Sequence, residues 1–146
     1  MNPHFGKLGD VWKHLPLAEI LRMKPPLHYW ETHAGSAWYS MDRSPERLHG
    51  AIQFVSCAPK DPELQTCAYL ELLQRNVDVY HGSAMIAVQL LGKNADYLFC
   101  DTDPESAATL RVAAVNVNAR VREKDGVLAV EEEASATRVC PADTLV

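Results

Sequence analysis

Apolar runs that stop on an acid and are followed by a turn and a helix signal constrain this chain more than any other feature. In "PPLHYWE" two prolines end whatever precedes them, and a compact strand-like run closes on Glu31. "ADYLFCD" repeats the pattern and closes on Asp101; "DPESAATLRVAAVN" then opens a helix with Asp103 at the N-cap and Pro104 at the first helical position. "ARVREKDG" reads as a further short strand closing on Asp125 and Gly126, "VLAVEEEAS" as a short helix, and "ADTLV" as the start of one more strand. The alternation βαβαβαβ predicts an α/β fold, a parallel sheet with helices on both faces.

The remaining segments are helical by pattern. "GDVWKHLPLAEILRM" predicts one short helix kinked or restarted at Pro16. "THAGSAWY" reads as a turn. Residues 44–80 read as a helical insertion, because "SPERLHGAIQF" and "PELQTCAYLELLQRN" each carry a proline one step into a helix-like stripe, the latter with Leu64, Cys67, Ala68 and Leu72. "GSAMIAVQLLG" predicts another helix, with Ser83 as candidate N-cap and Gly92 as the stop. Trp12, Trp30 and Trp38 are expected in the core, and Glu131 to Glu133 on a solvated helix face.

At 146 residues the chain is expected to fold as one domain, 1–146, with a real core. No apolar run approaches the roughly 18 residues of a membrane span. "MNPHFGKLGD" has no signal-peptide core, so a cytoplasmic location is expected. Cys57, Cys67, Cys100 and Cys140 are too dispersed to signal zinc or redox chemistry and are expected to be reduced and mostly buried. The net charge of -5 argues against a protein that coats nucleic acid non-specifically, since such binding rests on many Lys and Arg contacts to phosphate. Lys7, Lys13, Arg22 and Lys24 form a modest basic cluster.

Ligands of open parallel sheets bind beyond the carboxyl ends of the strands, where strand order reverses. Glu31 to Gly35, Asp101, and Asp125 with Gly126 occupy those ends. A turn with Gly35 lets a cofactor approach the backbone, Asp101 can accept both hydroxyls of a ribose, and Asp125 and Gly126 can meet an adenine ring. The turn lacks G-x-G-x-x-G, and the ribose acid is far from it in sequence, so a pyrophosphate-bearing dinucleotide fits poorly. S-adenosylmethionine, which has no phosphate, fits better. A Rossmann-like domain with merely polar strand ends is the plain alternative; on it His14 and His33 are hydrogen-bonded structural histidines and Ser83 is only a helix cap.

The blocks "GDVWKH", "ETHAGSAWY", "GSAMIAVQLL", "CDTDPESAATLR" and "EKDG" occur over the whole chain in an order and spacing that resembles a known bacterial family. These are the S-adenosylmethionine-dependent methyltransferases that modify the exocyclic amino group of an adenine in large-subunit ribosomal RNA. The resemblance implies a Rossmann-like methyltransferase fold whose insertion faces the substrate. It places His14 at the end of the family's "G-x-x-A-D-V-x-K-H", where Gly9 replaces the usual Ala, as a cofactor contact. It gives His33 a cofactor role within the family's "D-T-H-A-G", with Glu31 one methylene longer than the usual Asp. It puts Ser83 near the methionine moiety and Asp101, shorter than the usual Glu, at the ribose. Asp125 and Gly126 match the family's adenine-binding pair.

The family's D-P-P-Y or D-P-P-F motif, which holds the target amine and stacks on the base, has no counterpart here, so no catalytic residue is assigned. The chain is accordingly expected to supply the N-terminal, cofactor-binding half of a larger RNA-methylating enzyme, to make an incomplete sheet, and to bind the cofactor weakly or not at all without methyl transfer. Two rivals remain. One is a catalytically inactive cofactor-binding module that forms a homodimer through the open sheet edge; the other is a nicotinamide-dependent oxidoreductase.

Overall fold

A computed structural model describes residues 5–76, 78–137 and 140–146. In chain order the elements are α1 (Leu8–Met23), β1 (His28–Glu31), β2 (Trp38–Ser40), α2 (Pro45–Leu48), α3 (Ala51–Cys57), α4 (Ala68–Arg75), β3 (Val79–His81), α5 (Ser83–Leu91), β4 (Asp96–Cys100), α6 (Pro104–Ala113), β5 (Asn118–Arg122), α7 (Gly126–Thr137) and β6 (Thr144–Leu145). The acid-terminated runs form a parallel four-stranded sheet in the order β5-β4-β1-β6, with Tyr29 opposite Tyr97 and His28 opposite Thr144. This is a mixed α/β architecture compatible with a Rossmann-like fold.

Near-continuous apolar runs are what a strand buried on both faces requires. Tyr29, Tyr97 and Phe99 pack toward α5, α6 and Leu21 of α1, while Trp30, Leu98 and Cys100 pack on the opposite face around Ala129 of α7. Burying each such large side chain contributes roughly 1.5–3 kcal/mol. A second cluster joins the insertion to the body of the protein: Tyr69, Leu70, Leu72 and Leu73 of α4 pack with Val11 and Ala18 of α1, Tyr80 of β3 and Ile86 of α5.

Several local expectations change. Helix α1 runs unbroken through Pro16, which is exposed, so water can serve the carbonyl that loses its amide partner there. "SPERLHGAIQF" is split into α2 and α3 at Gly50, whose missing Cβ lets the backbone lie against Gly6 and Lys7. Residues 61–67 are turns, and α4 starts only at Ala68, because Glu19 of α1 reaches over and its Oε1 accepts the Ala68 amide at 2.6 Å. The "THAGSAWY" turn contains β2, which pairs antiparallel with β3 (Trp38 opposite His81) to close the neck of the insertion. Val79 and Tyr80, placed by pattern in the helical insertion, therefore belong to a strand.

Burial corrects three side-chain expectations. Trp30 is core and Trp38 half-buried, but Trp12 is 74% exposed, since the inward face of α1 is already filled by Val11, His14, Ala18 and Leu21. Cys67 and Cys100 are buried, whereas Cys57 and Cys140 are exposed. Glu131 and Glu132 face solvent, yet Glu133 is buried and paired with Arg120 of β5, which draws it against the sheet. Helix α7 is correspondingly longer than predicted. Among the described residues, no helix is long and apolar enough to cross a membrane.

Leu98 is fully buried on the face of the sheet that packs against α7. Leu98→Ala is expected to lower the free energy of unfolding by about 2–5 kcal/mol in urea melts followed by circular dichroism, with little change in helix content.

Candidate functional site

The loop after β1 is built by a left-handed glycine and a carboxylate from the next strand. Gly35 has φ of 64°, a conformation that side-chain-bearing residues rarely adopt, and its amide donates to Asp101 Oδ2 at 2.8 Å. The other oxygen of Asp101 accepts from the Asp103 amide at 2.9 Å, and Ala34 N donates to the Cys100 carbonyl at 2.9 Å. Loop 32–35 is thereby clamped onto the end of β4. Gly126 clamps it from below: a Cβ there would overlap the Thr32 backbone.

A cleft of about 220 Å³ opens at this edge, lined by Lys7, Asp10, Lys13, His14, His33 and Ser83 among others. It continues into a wider groove of about 490 Å³ between α1 and the ends of β1 and β6, which shares Lys13, His14, His33 and Ser83 and adds Glu31, Thr32, Leu145 and Val146. Charges of both signs thus converge where β1 meets β6. Lys13 Nζ pairs with Asp10 Oδ1 at 2.8 Å, while the buried Asp10 Oδ2 has no hydrogen-bond partner among the described residues.

Glu31 is gripped by two hydroxyls: Tyr29, two residues earlier on the same strand face, donates to one carboxylate oxygen, and Ser83 Oγ donates to the other at 3.2 Å. Desolvation raises the Glu31 carboxyl to about 7, against the opposing pull of these two hydrogen bonds. Burial likewise pushes the Tyr29 hydroxyl far up, so it stays a donor. His14 is buried, its Nδ1 lies 2.8 Å from the Tyr80 hydroxyl, and Tyr80 in turn bonds Tyr69 at 3.1 Å. Desolvation lowers the His14 imidazole to about 4 even though Asp10 pulls it up, so the ring is neutral near pH 7.

The structure brings His14, His33 and Ser83 together in one cleft. Asp101, Asp125 and Gly126 lie at the same carboxyl edge but do not line it. Asp101 spends an oxygen on each of two backbone amides, and exposed Asp125 caps α7 by accepting the Leu128 amide at 3.1 Å. The N-cap of α5 is Gly82, not Ser83; Ser83 is the first helical residue, and its hydroxyl turns to Glu31 instead. Asp103 does cap α6, accepting from the Ser106 amide at 3.1 Å. His33 is exposed and bonds its neighbour Thr32, whereas His14 is buried and hydrogen-bonded to Tyr80. Sequence reasoning missed Asp10, Lys13, Tyr29 and Tyr80 as site-forming groups. The i, i+2 spacing of Tyr29 and Glu31 was the available signal for one of them; Tyr80 lies 66 residues from His14 and has none.

No family model matches the chain, and no curated protein matches it. Among solved structures it is similar to protein LPL1258 from Legionella pneumophila str. Philadelphia 1, of family DUF519, with a TM-score of 0.77 and 25% identity over 88% of this chain and 52% of that one. The chain therefore spans about half the length of that protein.

The two shifted groups act with opposite sign over the same window, between about 4 and about 7. Glu31, raised in the folded state, contributes stability below its ordinary range that is lost as pH rises through about 7. His14, depressed, contributes stability above its ordinary value that is lost as pH falls toward about 4. Glu31→Gln keeps partners for both hydroxyls and removes the first effect. Its stability relative to the parent should rise between pH 5 and pH 8 by on the order of 1–2 kcal/mol in urea unfolding; a constant difference across that range would refute the assignment.

Proposed function

We propose that this chain forms the cofactor-binding half of an S-adenosylmethionine-dependent methyltransferase acting on the exocyclic amino group of adenine in ribosomal RNA. The observation that carries the reading is the position of the cleft. In the order β5-β4-β1-β6 the chain steps outward from β1 in both directions, and the groove opens at the carboxyl ends of β1 and β6, the topological switch point where such sheets bind ligands. The resemblance of the sequence blocks supplies the substrate class.

The residues present suit this cofactor. Its methionine moiety carries an ammonium and a carboxylate, and the cleft offers Asp10 and Glu31 against Lys7 and Lys13. When bound, the cofactor supplies an electrophilic methyl group on a sulfonium. Asp10 Oδ2, a buried acceptor without a donor among the described residues, suits the ammonium. Tyr80 fixes the His14 ring through Nδ1, and the ring's other nitrogen has no hydrogen-bond partner among the described residues, leaving it for a ligand. Gly35 and the Asp101 clamp hold the loop after β1 in place beside the cleft. Rigid support of this kind is how a site fixes donor and acceptor in line.

S-adenosylmethionine and NAD titrated side by side by isothermal calorimetry provide the test. The chain is expected to bind the former weakly at most and in preference to NAD, any such binding being weakened further in His14→Ala and Asp10→Asn, and to transfer no methyl group to RNA by itself. A response to NAD alone would replace this reading with an oxidoreductase, and methylation of RNA by the isolated chain would overturn the half-site assignment.

A further inference from the structure

Trp12 stands out on the surface because the helix beneath it has its own core face. Leu8, Trp12, Pro16 and Ile20 recur every fourth residue along α1, are all exposed, and form a row one residue wide. The charges of the same helix are sorted by sign. Asp10 is buried against Lys13, and Glu19 turns to the Ala68 amide and Arg22. Lys7, Lys13, Arg22 and Lys24 point to solvent, Lys13 with 68% of its side chain exposed. A chain of net charge -5 thus carries four exposed cations on or beside the one helix that also exposes an indole. The row runs into the candidate site, since Pro16, one turn from Trp12, and Ile20 both line the groove together with Lys13.

We propose that this face of α1 binds a single strand of RNA, with Trp12 stacking on an unpaired base and Lys7 and Lys13 meeting the flanking phosphates. It rests on the reading of the adjoining cleft as a site of methyl transfer to RNA, and it gives the strand a path into that cleft. An aromatic platform flanked by cations is the device by which proteins hold unpaired nucleotides without reading sequence. An apolar row this narrow does not supply the broad apolar face with which an amphipathic helix beds into lipid. Charge complementarity favours a polyanion over a second copy of this acidic chain.

The test is fluorescence anisotropy of a labelled, unstructured, adenine-containing RNA of about 12 nucleotides, titrated with the full chain, with S-adenosylmethionine titrated calorimetrically into the same samples. The expected result is binding that falls steeply between about 50 and 200 mM salt. Trp12→Ala should weaken it about tenfold or more, Trp12→Phe should retain most of it, and Lys7→Gln should reduce the salt slope by about one. Trp12 is exposed, so these variants are expected to keep the parent circular dichroism. Unchanged RNA affinity in Trp12→Ala, or no RNA binding at low salt, would overturn the proposal. So would binding to phosphatidylserine vesicles in place of RNA, or a Trp12-dependent dimer in sedimentation with RNA affinity unaltered. Trp12-dependent RNA binding by a chain that responds calorimetrically to NAD and not to S-adenosylmethionine would keep this surface and sink the methyltransferase reading; a response to S-adenosylmethionine without Trp12-dependent RNA binding would keep that reading and sink the surface.

Discussion

The carboxylate of Asp101 is the fastening on which the carboxyl edge of the sheet depends. One oxygen takes the amide of Gly35 and the other that of Asp103, so a single side chain at the end of β4 fixes both the loop after β1 and the approach to α6. A carboxylate bonded to backbone amides makes charge-assisted hydrogen bonds, stronger than neutral ones. Gly35 can supply its amide in that direction only because it adopts a left-handed conformation. Gly126 completes the arrangement by leaving room for Thr32. These contacts shape the loop before any ligand arrives.

A second network ties the insertion to the same edge. His14 on α1, Tyr80 on β3 and Tyr69 on α4 form one buried hydrogen-bonded chain, and Phe5 stacks on Tyr39 with ring centroids 4.4 Å apart. Buried polar groups are costly unless satisfied, so this chain specifies how the insertion docks as well as adding stability. The insertion then has a defined posture relative to the cleft.

Much of the sheet was legible because its signals are local. An apolar run that stops on an acid, a proline after an N-cap Asp, and an Asp-Gly pair each act within a few residues, and β1, β4, α6 and the parallel order of the strands followed from them. His14, His33 and Ser83 were legible as neighbours through the resemblance, and they do share one cleft. Several of the misses share one cause, a partner distant in sequence. Ala68 begins a helix because Glu19 caps it from 49 residues away, β2 is a strand because β3 lies beside it, and Glu133 is buried because Arg120 is there. Propensity and period carry no record of such partners.

The sequence by itself determined the class of fold and the small residues that the carboxyl edge of the sheet needs, since each follows from backbone chemistry and periodicity. Only the tertiary structure decided what the polar residues do there. It gave Asp101 and Asp125 backbone amides to hold, turned Ser83 onto Glu31, sealed His14 beside two tyrosines and left Trp12 in solvent. A side chain's role depends on its desolvation and on the donors and acceptors within about 3 Å of it, and those are set by the packing of elements that the chain order keeps far apart.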